Sequence, residues 1–150
     1  MIHYVKGDIL EELESGLKVV ALPCGSHWSK KSGDLTGRMH MRWPDKNAGP
    51  EGWHKACFRW MKINNDLGDV QWTCVEYKLA VCVMVCEYTN SGIDFKKLGE
   101  CMEKLADGAL ALAKSQSDFV SIHMLGISQR RELEWVVKDH LEDFEVSIYL

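Results

Sequence analysis

Hydrophobic and polar positions repeat along the chain with two different periods, and the two periods alternate. Residues 2–6 alternate as a short strand does, and residues 18–22 form an apolar run of strand length. Residues 69–85 indicate two further strands, joined by a turn near 76–78. Residues 94–114 instead carry apolar side chains three and four positions apart, which is the spacing of one helix face.

The remaining segments continue this alternation. Asp94 precedes the long helical stretch and has the side chain of an N-terminal cap. Alternating strands and helices predict one α/β domain over residues 1–150, with a mixed sheet covered on both faces. The other predicted elements are a short helix from Leu35 that ends before Pro44, a helix over 51–62, a strand over 118–125, a helix over 130–143 and a closing strand over 145–150.

The overall charge argues against a nucleic-acid partner. The chain has 150 residues, of which 46% are hydrophobic and 27% charged, and a net charge of −4. A protein that binds a duplex needs a basic stripe, whereas the basic residues here are scattered. The one basic cluster, formed by Lys30, Lys31, Arg38 and Arg42, suits a small anionic ligand.

No segment suggests a membrane partner. The longest apolar run, Leu79 to Cys86, is far too short to cross a bilayer. The N-terminus lacks the basic, apolar and small-residue regions of a signal peptide. We therefore expect a cytoplasmic protein, in the host cytoplasm if the source is a virus. The absence of extensions favours a phage or bacterial origin.

The cysteines and histidines do not indicate a metal or a cofactor. No C-x-x-C pair occurs, which disfavours a zinc cage, and a disulfide framework is unnecessary. His40, His54 and His123 lack an accompanying carboxylate–histidine cluster. We therefore expect structural thiols and neither a metal nor a cofactor. The six cysteines are Cys24, Cys57, Cys74, Cys82, Cys86 and Cys101.

Three separated stretches carry a family resemblance. They are "IHYVKGDIL" at 2–10, "LPCGSHWSKKSGDLTGRMHMRWP" at 22–44 and "FVSIHMLGISQRRELEWVVKDHLEDFEVSIYL" at 119–150. Together they resemble the macro domain, a family of ADP-ribose-binding modules, and within it the terminal-ADP-ribose glycohydrolases and ADP-ribose-1″-phosphate phosphatases. The resemblance spans essentially the whole chain. It implies a three-layer α/β/α fold with a mixed, mostly parallel central sheet of about six strands.

The resemblance assigns the adenine end of the ligand to the first stretch. In macro domains the aspartate after the glycine accepts a hydrogen bond from the exocyclic amine of adenine, and the backbone of the next residue contacts the ring. These roles fall on Asp8 and Ile9. A carboxylate favours the amine of adenine over the carbonyl of guanine, because the wrong base leaves buried polar atoms unpaired. For an arbitrary chain, Gly7-Asp8 would instead be an ordinary turn.

The second stretch supplies the distal ribose and phosphate contacts that the resemblance implies. Ser26 stands where family members contact the distal ribose, and the flat ring of Trp28 is placed to stack on a base or ribose. The loop around Ser32 and Gly33 opens a helix, whose free amides bind phosphate. A carboxylate at Asp34 would repel a pyrophosphate in the same cavity. Asp34 therefore either caps the helix or acts as a catalytic or ribose-binding carboxylate.

The third stretch departs from the family pattern. Macro domains follow the fifth strand with a glycine-x-glycine loop, whereas this chain has one glycine there. The arginine pair at 130–131 is either a donor to an additional phosphate or the solvated first turn of the last helix. The ligand-binding candidates of this loop are Gly126, Ile127, Ser128, Gln129 and Arg130.

The catalytic residues of the glycohydrolase subgroup have no counterpart. Its lysine nucleophile follows the strand that ends at Val85, where this chain has Cys86, Glu87 and Tyr88. Its catalytic aspartate is missing from the loop after the fifth strand. The lysine mechanism is therefore not carried over. A Cys24–His27 nucleophile pair is a weak alternative, because sequence spacing alone does not establish the geometry.

Three functions follow from the resemblance and stay open at this point. The first is recognition and hydrolysis of an ADP-ribose derivative by water attack, with Ser26 orienting the ribose and His27 or Asp34 assisting. The second is a non-enzymatic binder that sequesters or senses such a nucleotide, either free or on an ADP-ribosylated protein. The third is a degenerate module that binds a protein partner.

Overall fold

The computed structural model describes residues 1–14, 16–24, 35–43, 53, 55–56, 59, 66–76, 78–88, 92–127 and 129–150. The strands are β1 (Ile2–Val5), β2 (Leu17–Cys24), β3 (Val70–Glu76), β4 (Leu79–Val85), β5 (Glu87–Tyr88), β6 (Gly92–Ile93), β7 (Val120–Leu125) and β8 (Glu145–Tyr149). The helices whose bounds are described are a 3₁₀ helix (Ile9–Glu14), α1 (Leu35–Arg42), α2 (Phe95–Gln116) and α3 (Arg130–His140). Residues 53, 55, 56 and 59 are also helical and lie within the segment predicted as a helix over 51–62.

Six strands form the main sheet in the order β1-β8-β7-β2-β4-β3. All neighbouring pairs are parallel except β3 and β4, which are antiparallel. The predicted mixed, mostly parallel sheet of about six strands is therefore confirmed. Because β1, β8, β7, β2 and β4 run the same way, their carboxyl ends meet at one edge of the sheet. This edge is where ligands bind in open α/β sheets.

The central strands are apolar because the sheet is covered on both faces. Every residue of β4 is buried, as expected for a strand between two layers. One core lies between the sheet and helices α2 and α3, and includes Met102 and Ile122. The other lies beneath α1 and the 3₁₀ helix, and includes Met39 and Trp53. These two cores agree with the three-layer α/β/α architecture that was expected.

Helix α2 shows why the local sequence gives this packing. Asp94 Oδ1 accepts hydrogen bonds from the backbone amides of Lys96 and Lys97, at 3.0 and 3.1 Å, which confirms the predicted N-terminal cap. The helix ends at Ser117, whose φ is 50°. Its buried side chains repeat at intervals of three and four residues, and are Leu98, Cys101, Met102, Leu105 and Ala109.

Several aromatic and thiol side chains of the described residues are buried in the two cores. Trp43 and Trp53 are buried, and Trp53 Nε1 donates a hydrogen bond to the Trp43 carbonyl at 2.7 Å. Burial raises the pKa of the Cys101 thiol to about 11, which keeps it in the unreactive neutral form. Among the described helices, none is both long enough and apolar enough to cross a membrane. The described part of the chain contains no cluster of three or more metal-ligating side chains.

Candidate functional site

A cavity of about 480 Å³ opens at the carboxyl ends of β1, β8 and β7. We call it the first cavity. Asp8 and Arg38 are its ionisable side chains among the described residues, and the others are apolar or aromatic. The first cavity is lined by Gly7, Asp8, Ile9, Arg38, Leu125, Gly126, Tyr149 and Leu150.

The local sequence explains why Asp8 lies at this edge. Strand β1 ends at Val5. Gly7 then adopts a φ of 151°, a backbone conformation that residues other than glycine rarely adopt. The chain then turns into the 3₁₀ helix, where Asp8 Oδ1 accepts a hydrogen bond from the Leu10 amide at 3.0 Å. The Gly-Asp pair is thus a turn, and the turn places the carboxylate in the first cavity.

Asp8 is an ionised, oriented acceptor. The Leu10 amide lowers its pKa, and the Arg38 guanidinium lowers it further through a hydrogen bond and its charge. Arg38 Nη2 contacts Asp8 Oδ2 in an ion pair between two partly exposed side chains. A carboxylate has about four lone-pair positions, and these two donors occupy two of them. With the donors of the described residues alone, two acceptor positions remain for a ligand.

The wall of the first cavity opposite Asp8 is built from the ends of β7 and β8. The Gly126 amide donates to the Tyr149 carbonyl at 2.8 Å. A Cβ at Gly126 would lie 3.2 Å from the same carbonyl oxygen, so the close approach of the two backbones suits glycine. Beneath this wall, the Tyr149 hydroxyl lies 2.8 Å from His123 Nδ1, and His123 Nε2 lies 2.8 Å from Ser121 Oγ.

A cavity of about 290 Å³ lies at the carboxyl ends of β7, β2 and β4. We call it the second cavity. Leu125 and Gly126 line both cavities, so the two adjoin, and together they form what we call the cleft. The second cavity is lined by Ala21, Leu22, Pro23, Leu35, Glu87, Leu125, Gly126 and Ile127.

Glu87 is the ionisable side chain that faces the second cavity among its described lining residues. Burial raises the pKa of its carboxyl group above the usual range, because an apolar wall disfavours the charged form. Residue 87 directly follows the apolar strand β4 and begins the short strand β5, which pairs with β6. In the sequence, Glu87 is one of the three residues that stand where the lysine nucleophile of the glycohydrolases would be expected, and the pattern gave it no role of its own.

The structure brings some of the sequence candidates together. Asp8, Ile9 and Gly126 line the first cavity, and Ile127 joins Gly126 at the second. Arg38, which belongs to the basic cluster that was expected to suit a small anionic ligand, instead forms an ion pair with Asp8. Tyr149 also lines the cleft and was not a ligand candidate. Their roles depend on how α1 and β8 pack against β1, which a local sequence pattern does not reveal.

Arg130 has a different environment. Its guanidinium carbon lies 4.0 Å from the centre of the Tyr4 ring, a cation–π contact, and Tyr4 packs against the core beneath α2 and α3. Gln129 is the N-cap residue of α3, without a capping hydrogen bond from its side chain. In the described part of the chain, neither residue lines the two cavities.

Several candidates lie outside the described residues and stay predictions. The segment that carries six of them connects β2 to α1, and both of its flanks, at Pro23 and Leu35, line the second cavity. The candidates outside the described residues are Ser26, His27, Trp28, Ser32, Gly33, Asp34 and Ser128.

A larger cavity, of about 560 Å³, lies between the edge strand β1 and helix α3. Its floor is apolar, with Ile2, Val137 and Leu141 among the lining residues, and the Glu134–Lys138 pair lies at its border. It shares no described lining residue with either cavity of the cleft. The cleft, rather than this cavity, has the position expected of a ligand site in an open α/β sheet.

Solved structures resemble the whole chain. A macrodomain protein from Streptomyces coelicolor is 24% identical, with a TM-score of 0.77 over 100% of this chain and 99% of that chain. The chain has the macrodomain fold. A protein from Bacteroides thetaiotaomicron is also 24% identical, with a TM-score of 0.78 over 99% of each chain. No protein-family model and no curated protein matches the sequence.

A further relative with the macrodomain fold was solved with ADPR. This Oceanobacillus iheyensis macrodomain mutant is 22% identical, with a TM-score of 0.55 over 99% of this chain and 84% of that chain. The comparisons confirm the fold that the three sequence stretches implied. They therefore support the order of strands on which the geometry of the cleft depends.

Proposed function

We propose that this protein binds ADP-ribose, or a closely related ADP-ribosyl nucleotide, in the cleft. The single observation that carries the proposal is Asp8, an ionised carboxylate that lines the first cavity just after the carboxyl end of β1. The macrodomain fold, and the presence of ADPR with one relative of that fold, support the same ligand class.

The chemistry of Asp8 suits adenine. Adenine offers an exocyclic amine, a donor, where guanine and hypoxanthine offer a carbonyl, an acceptor. A carboxylate accepts hydrogen bonds and donates none when ionised, so a carbonyl facing Asp8 would leave two acceptors opposed. Ile9 lines the first cavity beside Asp8. Its side chain is buried in the core, so its backbone is the group that would contact the ring. The base end of the nucleotide therefore belongs in the first cavity.

The shape of the cleft suits an elongated ligand. The cleft runs across the ends of five parallel strands, from β1 to β4, which is about 19 Å at the usual spacing between strands. Leu35, the first residue of α1, lines the second cavity. Free backbone amides at a helix start bind phosphate, so the diphosphate belongs between the two ends. This arrangement suits a protein of net charge −4, since it needs no basic stripe.

Hydrolysis of the bound nucleotide is a second and separate proposal. Its candidate residues Ser26, His27 and Asp34 lie outside the described residues. Release of phosphate from ADP-ribose-1″-phosphate, measured with a high protein concentration, tests it. Release that is lost with His27→Ala supports an enzyme, whereas binding without release supports a protein that sequesters or senses the nucleotide, either free or attached to a protein.

Calorimetry with two ligands tests the binding proposal. ADP-ribose is expected to bind, and inosine diphosphate ribose, which has a carbonyl in place of the amine, is expected to bind about tenfold more weakly or worse. Asp8→Ala is expected to reduce ADP-ribose affinity by about 1–3 kcal/mol and to remove the preference between the two ligands.

Glu145→Gln is the matched control for Asp8→Ala. Glu145 is an exposed carboxylate whose pKa is lowered, as that of Asp8 is, in this case by a hydrogen bond to His3 at 2.5 Å. It does not line either cavity of the cleft. Its loss should leave both affinities unchanged. Wild-type protein that binds neither ligand at millimolar concentration would overturn the proposed function.

A further inference from the structure

The second cavity combines apolar walls with one acidic side chain, that of Glu87, among its described lining residues. The other described lining residues are apolar or glycine. A site that holds a small molecule typically combines apolar walls with a few polar groups that fix the orientation of the ligand. Glu87 is the described side chain of the second cavity with that character.

The Glu87 carboxylate has no hydrogen-bond or ion-pair partner among the described residues. Burial is the cause of its raised pKa, with no charged neighbour contributing. The nearby titratable group is the Cys86 thiol, which is buried and stays neutral because burial raises its pKa. A partly buried carboxylate without a partner is costly for folding alone. An ionisable group in such a cleft marks a candidate functional site.

The backbone around Glu87 is firmly held. The Cys86 amide donates to the Cys24 carbonyl at 3.0 Å, and the Asp94 amide donates to the Cys86 carbonyl at 2.8 Å. Glu87 itself pairs with Ile93 across the β5–β6 ladder. These contacts fix the backbone position of Glu87, and with it the direction in which the side chain leaves the backbone towards the second cavity.

We propose that Glu87 binds the sugar at the far end of the nucleotide, its carboxylate accepting hydrogen bonds from the neighbouring hydroxyls of a terminal ribose. Two adjacent hydroxyls present two donors, which match the two oxygens of one carboxylate. Bonds to an ionised acceptor are stronger than neutral ones. The inference rests on the proposed function, which places the adenine at Asp8 and therefore the terminal ribose at the opposite end of the cleft.

The same carboxylate makes the second cavity selective by charge. A terminal phosphate placed there would face a like charge at close range with apolar walls around it, which is unfavourable. The site should therefore prefer ADP-ribose to ADP-ribose-1″-phosphate. The preference for ADP-ribose over ADP has a different cause, which is that ADP lacks the sugar that Glu87 binds.

Binding of three ligands to three proteins tests the inference by calorimetry. Wild type should bind ADP-ribose about tenfold or more tightly than ADP, which is the effect of one good hydrogen bond to a charged group. Glu87→Ala should lose that preference and leave the affinity for ADP unchanged within about twofold. Glu87→Gln removes the charge at nearly constant size, and should bring ADP-ribose-1″-phosphate closer to ADP-ribose in affinity.

Glu134→Gln provides the matched control. Glu134 is a partly buried glutamate on α3 that pairs with Lys138, far from the cleft. It should behave as wild type with all three ligands.

The outcomes separate the two proposals. If wild type binds neither ADP-ribose nor ADP, the proposed function fails and this inference fails with it. If wild type binds ADP-ribose but ADP equally well, or if Glu87→Ala keeps the full preference, the role of Glu87 alone is overturned. The same holds if Glu87→Gln leaves the discrimination against ADP-ribose-1″-phosphate unchanged.

Discussion

Asp8 and Arg38 form a polar pair at one end of a largely apolar cleft. The Leu10 amide and the Arg38 guanidinium hold the carboxylate in a fixed direction and keep it ionised. A prearranged acceptor loses less conformational freedom when a ligand binds than a flexible one does. The pair therefore favours selective recognition of a donor group.

His123 predicts how stability changes with pH. It is buried, and burial lowers its pKa to about 4 from 6.5. The unfolded chain therefore binds a proton at a higher pH than the folded chain, and stability falls as pH decreases from 6.5 towards 4. We expect a loss of about 2 kcal/mol from this residue between about pH 7.5 and about pH 5.

Chemical denaturation of wild type and His123→Gln at the two pH values measures this effect. The carboxylates contribute to the pH dependence of both proteins alike. The difference between the two proteins in the free energy of unfolding lost from the higher to the lower pH therefore gives the contribution of His123. The variant should lose less stability than wild type over this range. Equal losses in both proteins would contradict a neutral, buried His123.

The sequence predicted one end of the cleft better than the other. Asp8 and Ile9 follow from the Gly-Asp motif and its family resemblance, and the structure places both at the first cavity. Glu87 was visible as an acidic residue directly after a wholly apolar strand, but its direction depends on the β5–β6 pairing. Arg38 required the packing of α1 against β1, which involves residues 30 positions apart.

At the level of elements, the sequence predicted the strands of the main sheet and the helices, and missed the two-residue strands and the 3₁₀ helix. The two strands over 69–85 and the long helix with its Asp94 cap are confirmed. The strands β5 and β6 have two residues each, too few to show a period. The 3₁₀ helix was also missed. In the sequence, Ile9 and Leu10 look like a continuation of the apolar strand pattern, whereas in the structure the turn at Asp8 separates them from the strand.

The strand order is another property that local patterns do not contain. Strand β8 lies between β1 and β7 although it is the last element in the chain. Hydrophobic periodicity shows which residues are buried but not which strands are neighbours. The family resemblance implied a mixed, mostly parallel sheet of about six strands but gave no strand order. The geometry of the cleft depends on that order, which the structure supplies.

Helix α2 offers a test of packing between elements. A Cβ added at Gly108 would lie within 3.0 Å of three atoms of the Trp72 indole ring on β3. Alanine normally stabilises a helix relative to glycine by about 1 kcal/mol. At this position the added methyl group forces the ring away from the helix, so Gly108→Ala should instead destabilise the protein by about 1–3 kcal/mol.

Gly99→Ala in the same helix is the matched control. Its added Cβ would lie 3.3 Å from His140 Nε2, at the end of a side chain that can move aside. This variant should be as stable as wild type or more stable by up to about 1 kcal/mol. Thermal unfolding of both variants gives the comparison, and stabilisation by Gly108→Ala would show that Trp72 does not pack as described.

In the described part of the molecule, the two carboxylates of the cleft lie along one edge of the main sheet. Five parallel strands end together, with Asp8 near the first and Glu87 near the last in the spatial order. Each strand contributes only a few residues, but together they form one continuous cleft. The size and polarity of the cleft are consequently set by the sheet as a whole rather than by one motif.

Ligand binding should also be visible in the stability of the whole molecule. A ligand at 100 times its dissociation constant adds about 2.7 kcal/mol to the free energy of unfolding. ADP-ribose should raise the melting temperature of wild type more than ADP does at equal concentration. An equal rise with inosine diphosphate ribose would contradict recognition of the adenine amine.

A crystal structure of the protein with bound ADP-ribose tests the central claim most directly. The account predicts adenine in the first cavity, with its exocyclic amine within hydrogen-bond distance of Asp8, and the terminal ribose in the second cavity next to Glu87. A nucleotide bound in the reverse direction, or seated between β1 and α3, would contradict it.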